Sequence, residues 1–266
     1  MMNLIRGLWL GLMLSLVLSA CKTTADAPQV VSLAADGDKV QQNDTKRAAI
    51  RLQLGISYFQ QDQLATALKE LNNAISLDPT LSDAFAVRAL VYMQLKDNNS
   101  AEQDFQKVMK MAPNSLDNIN NYGWFMCQTG REKQAMEMFE RVIQDHNYPQ
   151  PTKVFNNAGL CSMRLKDNAA AEGFFMQSAR FDANNPTTNL NLALINYKKP
   201  DINRAQYYIN RVIKADNTTA EILWLAIKIN HKLNDQIAVE SLTFQLHRRF
   251  PDSPEDALSQ TGAFNE

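Results

Sequence analysis

Residues 48–81 read AAIRLQLGISYFQQDQLATALKELNNAISLDPTL, and residues 82–115 read SDAFAVRALVYMQLKDNNSAEQDFQKVMKMAPNS. Both stretches carry apolar residues at three- and four-residue spacing, and both have a proline close to the end, as two amphipathic helices joined by a turn do. Aligned from their first residues, they hold small and large apolar side chains at matching places. The chain therefore repeats one helix–turn–helix unit.

The same period continues along most of the chain. Each of the first five units is marked by an alanine and, four residues later, by a large apolar residue. The alanines are Ala67, Ala101, Ala135, Ala171 and Ala205, and the large residues are Leu71, Phe105, Phe139, Phe175 and Ile209. Small residues are needed where the two helices cross, because a bulky side chain would hold them apart. A helix–turn–helix repeat of this period is the tetratricopeptide signature.

We therefore predict an all-α tetratricopeptide (TPR) superhelix of six helix-turn-helix repeats. The units are predicted at residues 48–81, 82–115, 116–149, 152–185, 186–219 and 220–253, with two extra residues between the third and fourth. Units 5 and 6 depart from the pattern, since Asn196 and Asn230 stand where an aromatic residue is usual, and we expect less regular packing there. A short helix is predicted over 255–259, with Ser253 as its N-cap.

The start of the chain resembles an export signal that ends in a lipidation site. A short positive start is followed by the apolar run 8–18, which is too short to span a bilayer comfortably, and then by Leu18-Ser19-Ala20. Cys21 follows directly, as in the lipobox of bacterial lipoproteins, where the cysteine is acylated. The alternative is an ordinary secretory signal followed by a chance cysteine. In lipoproteins an Asp after the cysteine favours inner-membrane retention, so Lys22 implies the outer membrane.

The domain boundaries follow from these features. We predict a signal peptide over 1–20, the lipidated cysteine and a flexible tether over 21–45, the repeat domain over 46–253, and a C-terminal capping segment or tail over 254–266. The tether is rich in Ala, Asp, Gln and Thr and shows no periodic apolar pattern. The mature protein is expected to be anchored to the outer membrane by its lipid, on the periplasmic side.

The composition argues against several function classes. The net charge of −1 gives no global basic field for nucleic acid. His146, His231 and His247 lie far apart, and no spacing resembles a metal site. There is no glycine-rich phosphate loop and no nucleophile elbow. We predict a protein-binding scaffold that is not an enzyme, with no cofactor, no metal and no small-molecule substrate.

Cys127 and Cys161 lie late in the first helices of adjacent units. First helices of neighbouring units run side by side, and the periplasm is oxidising, so a disulfide between them is favoured. Two free buried cysteines are the alternative. A disulfide would join units 3 and 4 across the two-residue insertion.

In tetratricopeptide arrays the first helix of each unit lines the concave side, mainly through unit places 2, 5, 9, 12 and 13. Here these places hold apolar residues and two amides, which is the composition of an exposed partner site. We predict a partner-binding groove formed by Phe59, Leu90, Met93, Asn120, Trp124, Asn156, Leu160 and Met163. The alternative is that the apolar members only pack the superhelix. It explains Asn120 and Asn156 poorly, since asparagine has no propensity advantage inside a helix.

Two stretches carry a family resemblance. Asn120-Asn121-Tyr122-Gly123-Trp124-Phe125-Met126-Cys127 and Phe155-Asn156-Asn157-Ala158-Gly159-Leu160-Cys161 resemble the type IV pilus pilotin lipoproteins, the PilF/PilW family. The resemblance also covers the lipobox, the tether, the six units and the insertion. It implies an outer-membrane lipoprotein that binds the pilus secretin subunit and promotes its localisation and multimerisation.

Two other readings remain open. One is a TPR lipoprotein of the β-barrel assembly machine, which shares anchor, fold and compartment. The other is a scaffold for cell-wall hydrolases. Deleting the gene separates the three, because each predicts a different defect: loss of pili, loss of barrel proteins, or altered cell shape.

Overall fold

The structure is a computed structural model that describes residues 33–214, 218–262 and 264, with side chains from residue 41 onward. The predicted signal peptide, Cys21 and the first part of the predicted tether lie outside the described residues. The compact unit that contains the repeats spans residues 43–266. Among the helices of the described part, none combines the length and apolar character needed to cross a bilayer.

The described residues form thirteen helices and no strand. In chain order α1 to α13 are Leu33–Gln60, Leu64–Leu77, Ser82–Gln94, Asn98–Met111, Leu116–Gln128, Glu132–Ile143, Pro151–Arg164, Asn168–Phe181, Pro186–Tyr197, Ile202–Val212, Ala220–Lys232, Gln236–Arg249 and Pro254–Thr261. The first twelve pair consecutively, α1 with α2 through α11 with α12, and give six helix–turn–helix units at the predicted positions. The predicted fold class is confirmed.

Helix α1 begins at Leu33, inside the segment 21–45 that we predict to be a flexible tether. That prediction is wrong for residues 33–45. The segment has no periodic apolar pattern, but Ala34, Ala35 and Lys39 are good helix formers. A helix that is already nucleated in the array extends cheaply, because each added residue gains one hydrogen bond. The sequence argument relied on periodicity and gave propensity too little weight.

Each unit buries its small and large marker residues where its two helices cross. Phe105, Phe139 and Phe175 are completely buried. In unit 4 a β-carbon on Gly159 would lie 2.7 Å from the Phe175 ring, and in unit 3 one on Gly123 would lie 2.9 Å from the Phe139 ring. These glycines are therefore required by the close approach of the helices.

The turn inside a unit places one left-handed residue before a capping aspartate. In units 2, 4 and 6 the left-handed residue has a φ of 65°, 62° and 57°. The aspartate accepts the backbone N–H three residues on, at 2.9 to 3.1 Å. An N-cap of this kind contributes about 1 kcal/mol, which offsets the cost of the left-handed backbone. The pairs are Lys96–Asp97, Lys166–Asp167 and Asn234–Asp235.

Units 5 and 6 keep the helix-pair geometry despite their sequence departures. Asn196 and Asn230 are buried, and each side-chain amide donates to the backbone carbonyl four residues earlier, Leu192 and Ala226, at 2.8 Å. The Asn230 Oδ1 also accepts a hydrogen bond from Gln206. An asparagine can replace the usual aromatic residue here because its amide N–H group finds a backbone acceptor in its own helix. The Asn230 oxygen is bonded to unit 5, whereas the buried Asn196 oxygen has no partner among the described residues.

Helix α13 follows the array and packs against α11 and α12. Ser253 caps it as predicted, accepting the Asp256 N–H at 3.1 Å, and Pro254 occupies its first turn. The Asp256 carboxylate also contacts Nδ1 of His247 on α12 at 3.0 Å. The last unit is thus covered at its C-terminal end by a short capped helix.

Candidate partner-binding groove

The first helices of units 1 to 4 line an open cavity of about 520 Å³. Its walls combine four apolar side chains with a polar set of amides and lysines, and no acidic residue lines it. The apolar residues are Phe59, Leu90, Met93 and Trp124, and the polar ones are Gln94, Lys96, Asn98, Asn121, Gln128, Lys153 and Asn157. All four apolar side chains are partly buried, so their remaining surface faces the cavity.

Four of the eight predicted groove residues therefore come together. Phe59 comes from α1, Leu90 and Met93 from α3, and Trp124 from α5. These positions share an apolar surface because the first helices of successive units pack side by side. The concave unit places of units 1 to 3 thus share one cavity, and its role as a partner site remains a prediction.

Asn120 and Asn156 do not line the cavity, which corrects the prediction. Asn120 is completely buried, and its Oδ1 accepts a hydrogen bond from Asn157 at 3.0 Å. Asn156 is 8% exposed; it accepts from the Thr188 hydroxyl at 2.7 Å and donates to Asn185 at 3.1 Å. Both side-chain amides join neighbouring units. The contact that explains an asparagine at each position is therefore a hydrogen bond within the array, not a contact with a ligand.

The second asparagine of each pair faces the cavity instead. Asn121 and Asn157 line it, because one step along an α-helix turns the side chain by about 100°. At these two positions the residue that faces the cavity is the one directly after the residue predicted from the unit places.

Leu160 and Met163 are the other predicted residues that the cavity lacks. Both pack against the cluster of Ala171, Phe175, Leu192 and Ile195, which joins units 4 and 5. The packing alternative weighed for the apolar positions therefore holds for these two residues. On the side of unit 4 the cavity is closed by polar residues of α7, Lys153 and Asn157.

Lys153 is one of the polar lining residues that the predicted groove does not include. It stands at place 2 of unit 4, one of the concave places, so the repeat register alone pointed to it. Burial lowers its pKa, and the field of Asp117 opposes this only in part. The Asp117 carboxylate is already engaged by the Tyr148 hydroxyl at 2.8 Å.

Cys127 and Cys161 are joined by a disulfide in the structure, with their Cα atoms 5.8 Å apart. Both are completely buried, and they connect the end of α5 to α7. For the 34-residue separation, restriction of the unfolded chain gives about 3–4 kcal/mol of stabilisation. The bond fixes the two helices that carry Trp124 and Lys153, on either side of the two-residue insertion.

A buried polar cluster fixes unit 2 against unit 3. Tyr122 on α5 donates its hydroxyl proton to Glu102 on α4 at 2.6 Å, and Arg131 pairs with the same carboxylate. Burial and the hydrogen bond to Glu102 raise the pKa of Tyr122 to about 12. Burial opposes ionisation of Glu102, but the hydrogen bonds from Arg131 and Tyr122 outweigh it and lower its pKa. The cluster stabilises the helix positions behind the groove.

The described residues show no group of side chains that could hold a metal ion. Their repeats and helix pairs define a tetratricopeptide-repeat protein, and the tetratricopeptide-repeat family pattern matches residues 48–81 and 82–115. Scaffolds of this class are protein-interaction modules.

Comparisons with known proteins give a closer relationship. The chain is 29% identical over 204 residues to the type IV pilus assembly protein PilF of Pseudomonas aeruginosa, covering 77% of this chain and 81% of PilF. It superposes on the solved PilF structure with a TM-score of 0.73 at 28% identity, over 83% of this chain and 99% of the other. The crystal structure of PilW, described as a widely conserved type IV pilus biogenesis factor, gives 0.71 at 28% identity, over 81% and 98%. The chain is a homologue of PilF and PilW.

Proposed function

We propose that this chain is an outer-membrane lipoprotein of type IV pilus biogenesis that acts as a pilotin. It binds the pilus secretin subunit and promotes the localisation of that subunit to the outer membrane and its multimerisation. The observation that carries the proposal is homology to PilF and PilW along almost the whole repeat array. The cavity in units 1 to 4, with its apolar wall, also supports the proposal.

The cavity suits a protein segment better than a small molecule. It is open, and its walls come from four consecutive units, so an extended chain can lie along it. Trp124 supplies a large rigid apolar surface, the side-chain type that most often dominates interface energies. The disulfide and the Tyr122–Glu102–Arg131 cluster hold the walls in place, so little ordering is required when the partner binds.

The anchor belongs to the same proposal. Cys21 after Leu18-Ser19-Ala20 supports lipidation, and Lys22 supports sorting to the outer membrane. A lipid anchor confines the repeat array to the membrane surface and so raises its effective concentration near a membrane-bound partner.

Deletion of the gene tests the proposal. We expect the outer-membrane fraction to contain no secretin oligomers, as measured by native electrophoresis. Surface pili and twitching motility should disappear as well. The wild-type gene should restore both. A strain that keeps secretin oligomers and pili, but loses barrel proteins or its normal shape, would contradict the pilotin role and favour another envelope machine.

A Cys21→Ser variant separates the anchor from the array. We expect it to fold but to leave the outer-membrane fraction and to fail to restore secretin oligomers. Thr24→Ser, a change of similar size in the same segment, should restore them. Complete retention of Cys21→Ser in the outer membrane would contradict the lipid anchor without affecting the groove.

A further inference from the structure

The polar side of the groove carries an unbalanced positive charge. Lys96 and Lys153 line the cavity together with five amide side chains, and no aspartate or glutamate does. Lys96 is exposed at the turn of unit 2, whereas Lys153 is partly buried on the first turn of α7. Water therefore solvates the charge of Lys96 fully but the charge of Lys153 only in part.

Three other partly buried cations in the array have polar partners: carboxylates for Arg88 and Arg131, and the Asn184 amide oxygen and the Tyr207 hydroxyl for Arg211. Arg88 pairs with Asp104 through two hydrogen bonds, of 2.7 and 2.8 Å, and Arg131 pairs with Glu102. Lys153 has no ion pair and no side-chain hydrogen bond within the described residues. Burial of a charge is costly unless it is paired, so the lack of a partner for Lys153 within the described residues requires an explanation.

The nearest internal anion does not satisfy Lys153. Asp117 acts on it electrostatically, but that carboxylate is bonded to Tyr148 and forms no ion pair with the lysine. Since Lys153 lines an open cavity, an anion can reach it from outside. The local field thus favours a ligand carboxylate in the groove.

The amides indicate what kind of molecule carries this carboxylate. The Asn121 side chain makes no hydrogen bond within the described residues, and the Asn157 side chain makes one, donating an N–H to Asn120. The unused donors and acceptors match the N–H and C=O groups of an extended peptide backbone. Apolar side chains of the same peptide can pack against the wall formed by Phe59, Leu90 and Trp124.

We propose that the groove binds a peptide segment in which an acidic side chain contacts Lys153 while neighbouring apolar side chains contact Trp124 and the adjoining apolar wall. This inference rests on the proposed function and names the chemistry of the partner segment.

The test uses full-length protein in detergent and overlapping peptides that cover the secretin subunit of the same organism. Peptides that bind wild type and lose affinity for Trp124→Ala identify the groove ligand. For such a peptide, we expect Lys153→Met to weaken binding about tenfold. Lys153→Arg should retain most of the affinity, and Lys133→Met, a change at an exposed lysine outside the cavity, should leave it unchanged.

Changing the acidic residue of the peptide to its amide completes a double-mutant cycle. The amide peptide should bind wild type about tenfold more weakly and should bind Lys153→Met no worse than the acidic peptide does. Added salt should weaken the wild-type complex more than the Lys153→Met complex. Amidation of the peptide C-terminus should have no effect, and a large effect there would overturn the choice of a side-chain carboxylate.

The possible failures differ. If Trp124→Ala weakens binding but Lys153→Met binds within twofold of wild type, the acidic contact is wrong and the proposed function stands. If neither the peptides nor the intact secretin binds wild-type protein, the proposed function fails, and the inference fails with it. Thermal melting of each variant excludes unfolding as the cause, since replacement of a partly buried cation by Met removes a desolvation cost.

Discussion

The replacement of Gly159 by alanine tests the close helix crossing on which the repeat depends. A β-carbon at this position would lie 2.7 Å from two atoms of the Phe175 ring, well inside van der Waals contact. Phe175 is completely buried, so its ring cannot move into solvent. Either α7 moves away from α8, or the ring leaves its preferred rotamer.

The expected magnitude is the difference between two effects. Overpacking a well-packed core costs about 1–3 kcal/mol. Alanine is a better helix former than glycine by up to about 1 kcal/mol, which offsets part of that cost. Gly159→Ala should therefore destabilise the array by about 1–2 kcal/mol.

Gly173→Ala is the matched control, because it makes the same change on the partner helix α8. No atom lies within 4 Å of a β-carbon there, so only the helix propensity changes. We expect a gain of about 0.5–1 kcal/mol. Thermal unfolding followed by circular dichroism should show a gap between the two variants of roughly 4–8 °C. A Gly159→Ala protein that melts at or above the wild-type temperature would refute the crossing geometry.

Two further predictions follow from the site. Thiol alkylation of denatured protein from the periplasmic side should label Cys127 and Cys161 only after reduction, and labelling without reductant would contradict the disulfide. Ultraviolet titration should show a tyrosine with a pKa of about 12 that is absent from Tyr122→Phe. Because the folded pKa lies above the unfolded value of about 10, the stabilisation from this hydroxyl is fully present below pH 10 and is lost as the pH rises towards 12. Urea unfolding should therefore show a steeper loss of stability from pH 10 to 12 in wild type than in Tyr122→Phe, and equal slopes would contradict the raised pKa of Tyr122.

The fold was predictable because the repeat period, the small residues and the helical spacing all point to one architecture. Gly159 and Phe175 occupy unit places where small and large apolar residues recur, and a close helix crossing requires this pairing. The extent of α1 was not predictable in the same way, since residues 33–45 have no apolar face. Their helix depends on propensity and on extension from a nucleated array, and neither leaves a periodic pattern.

The groove was predictable only in part. Phe59, Leu90, Met93 and Trp124 follow from the concave unit places, because repeat geometry is regular in units 1 to 3. Unit places alone could not show that the amides of Asn120 and Asn156 turn inward. Their partners come from other units, so the choice between an internal bond and a ligand contact depends on tertiary structure.

Lys153 could not be recognised from the sequence for a different reason. Its place in the repeat marked it as concave, but its importance depends on the absence of a carboxylate within reach. That property arises from the surroundings of the side chain: Asp117, whose field reaches Lys153, accepts a hydrogen bond from Tyr148 and forms no ion pair with the lysine.

The most direct test of the account measures the affinity of the purified secretin subunit for full-length wild-type protein and for Trp124→Ala. Loss of a hot-spot side chain should weaken binding about 30-fold, corresponding to about 2 kcal/mol. Phe244→Ala, which removes an exposed aromatic ring outside the groove, should leave the affinity unchanged. Phe139→Ala should lower the stability by roughly 3–5 kcal/mol, far more than Trp124→Ala, because its ring is completely buried. If Trp124→Ala binds the secretin as wild type does while it unfolds as readily as Phe139→Ala, Trp124 belongs to the core and the groove is not the partner site.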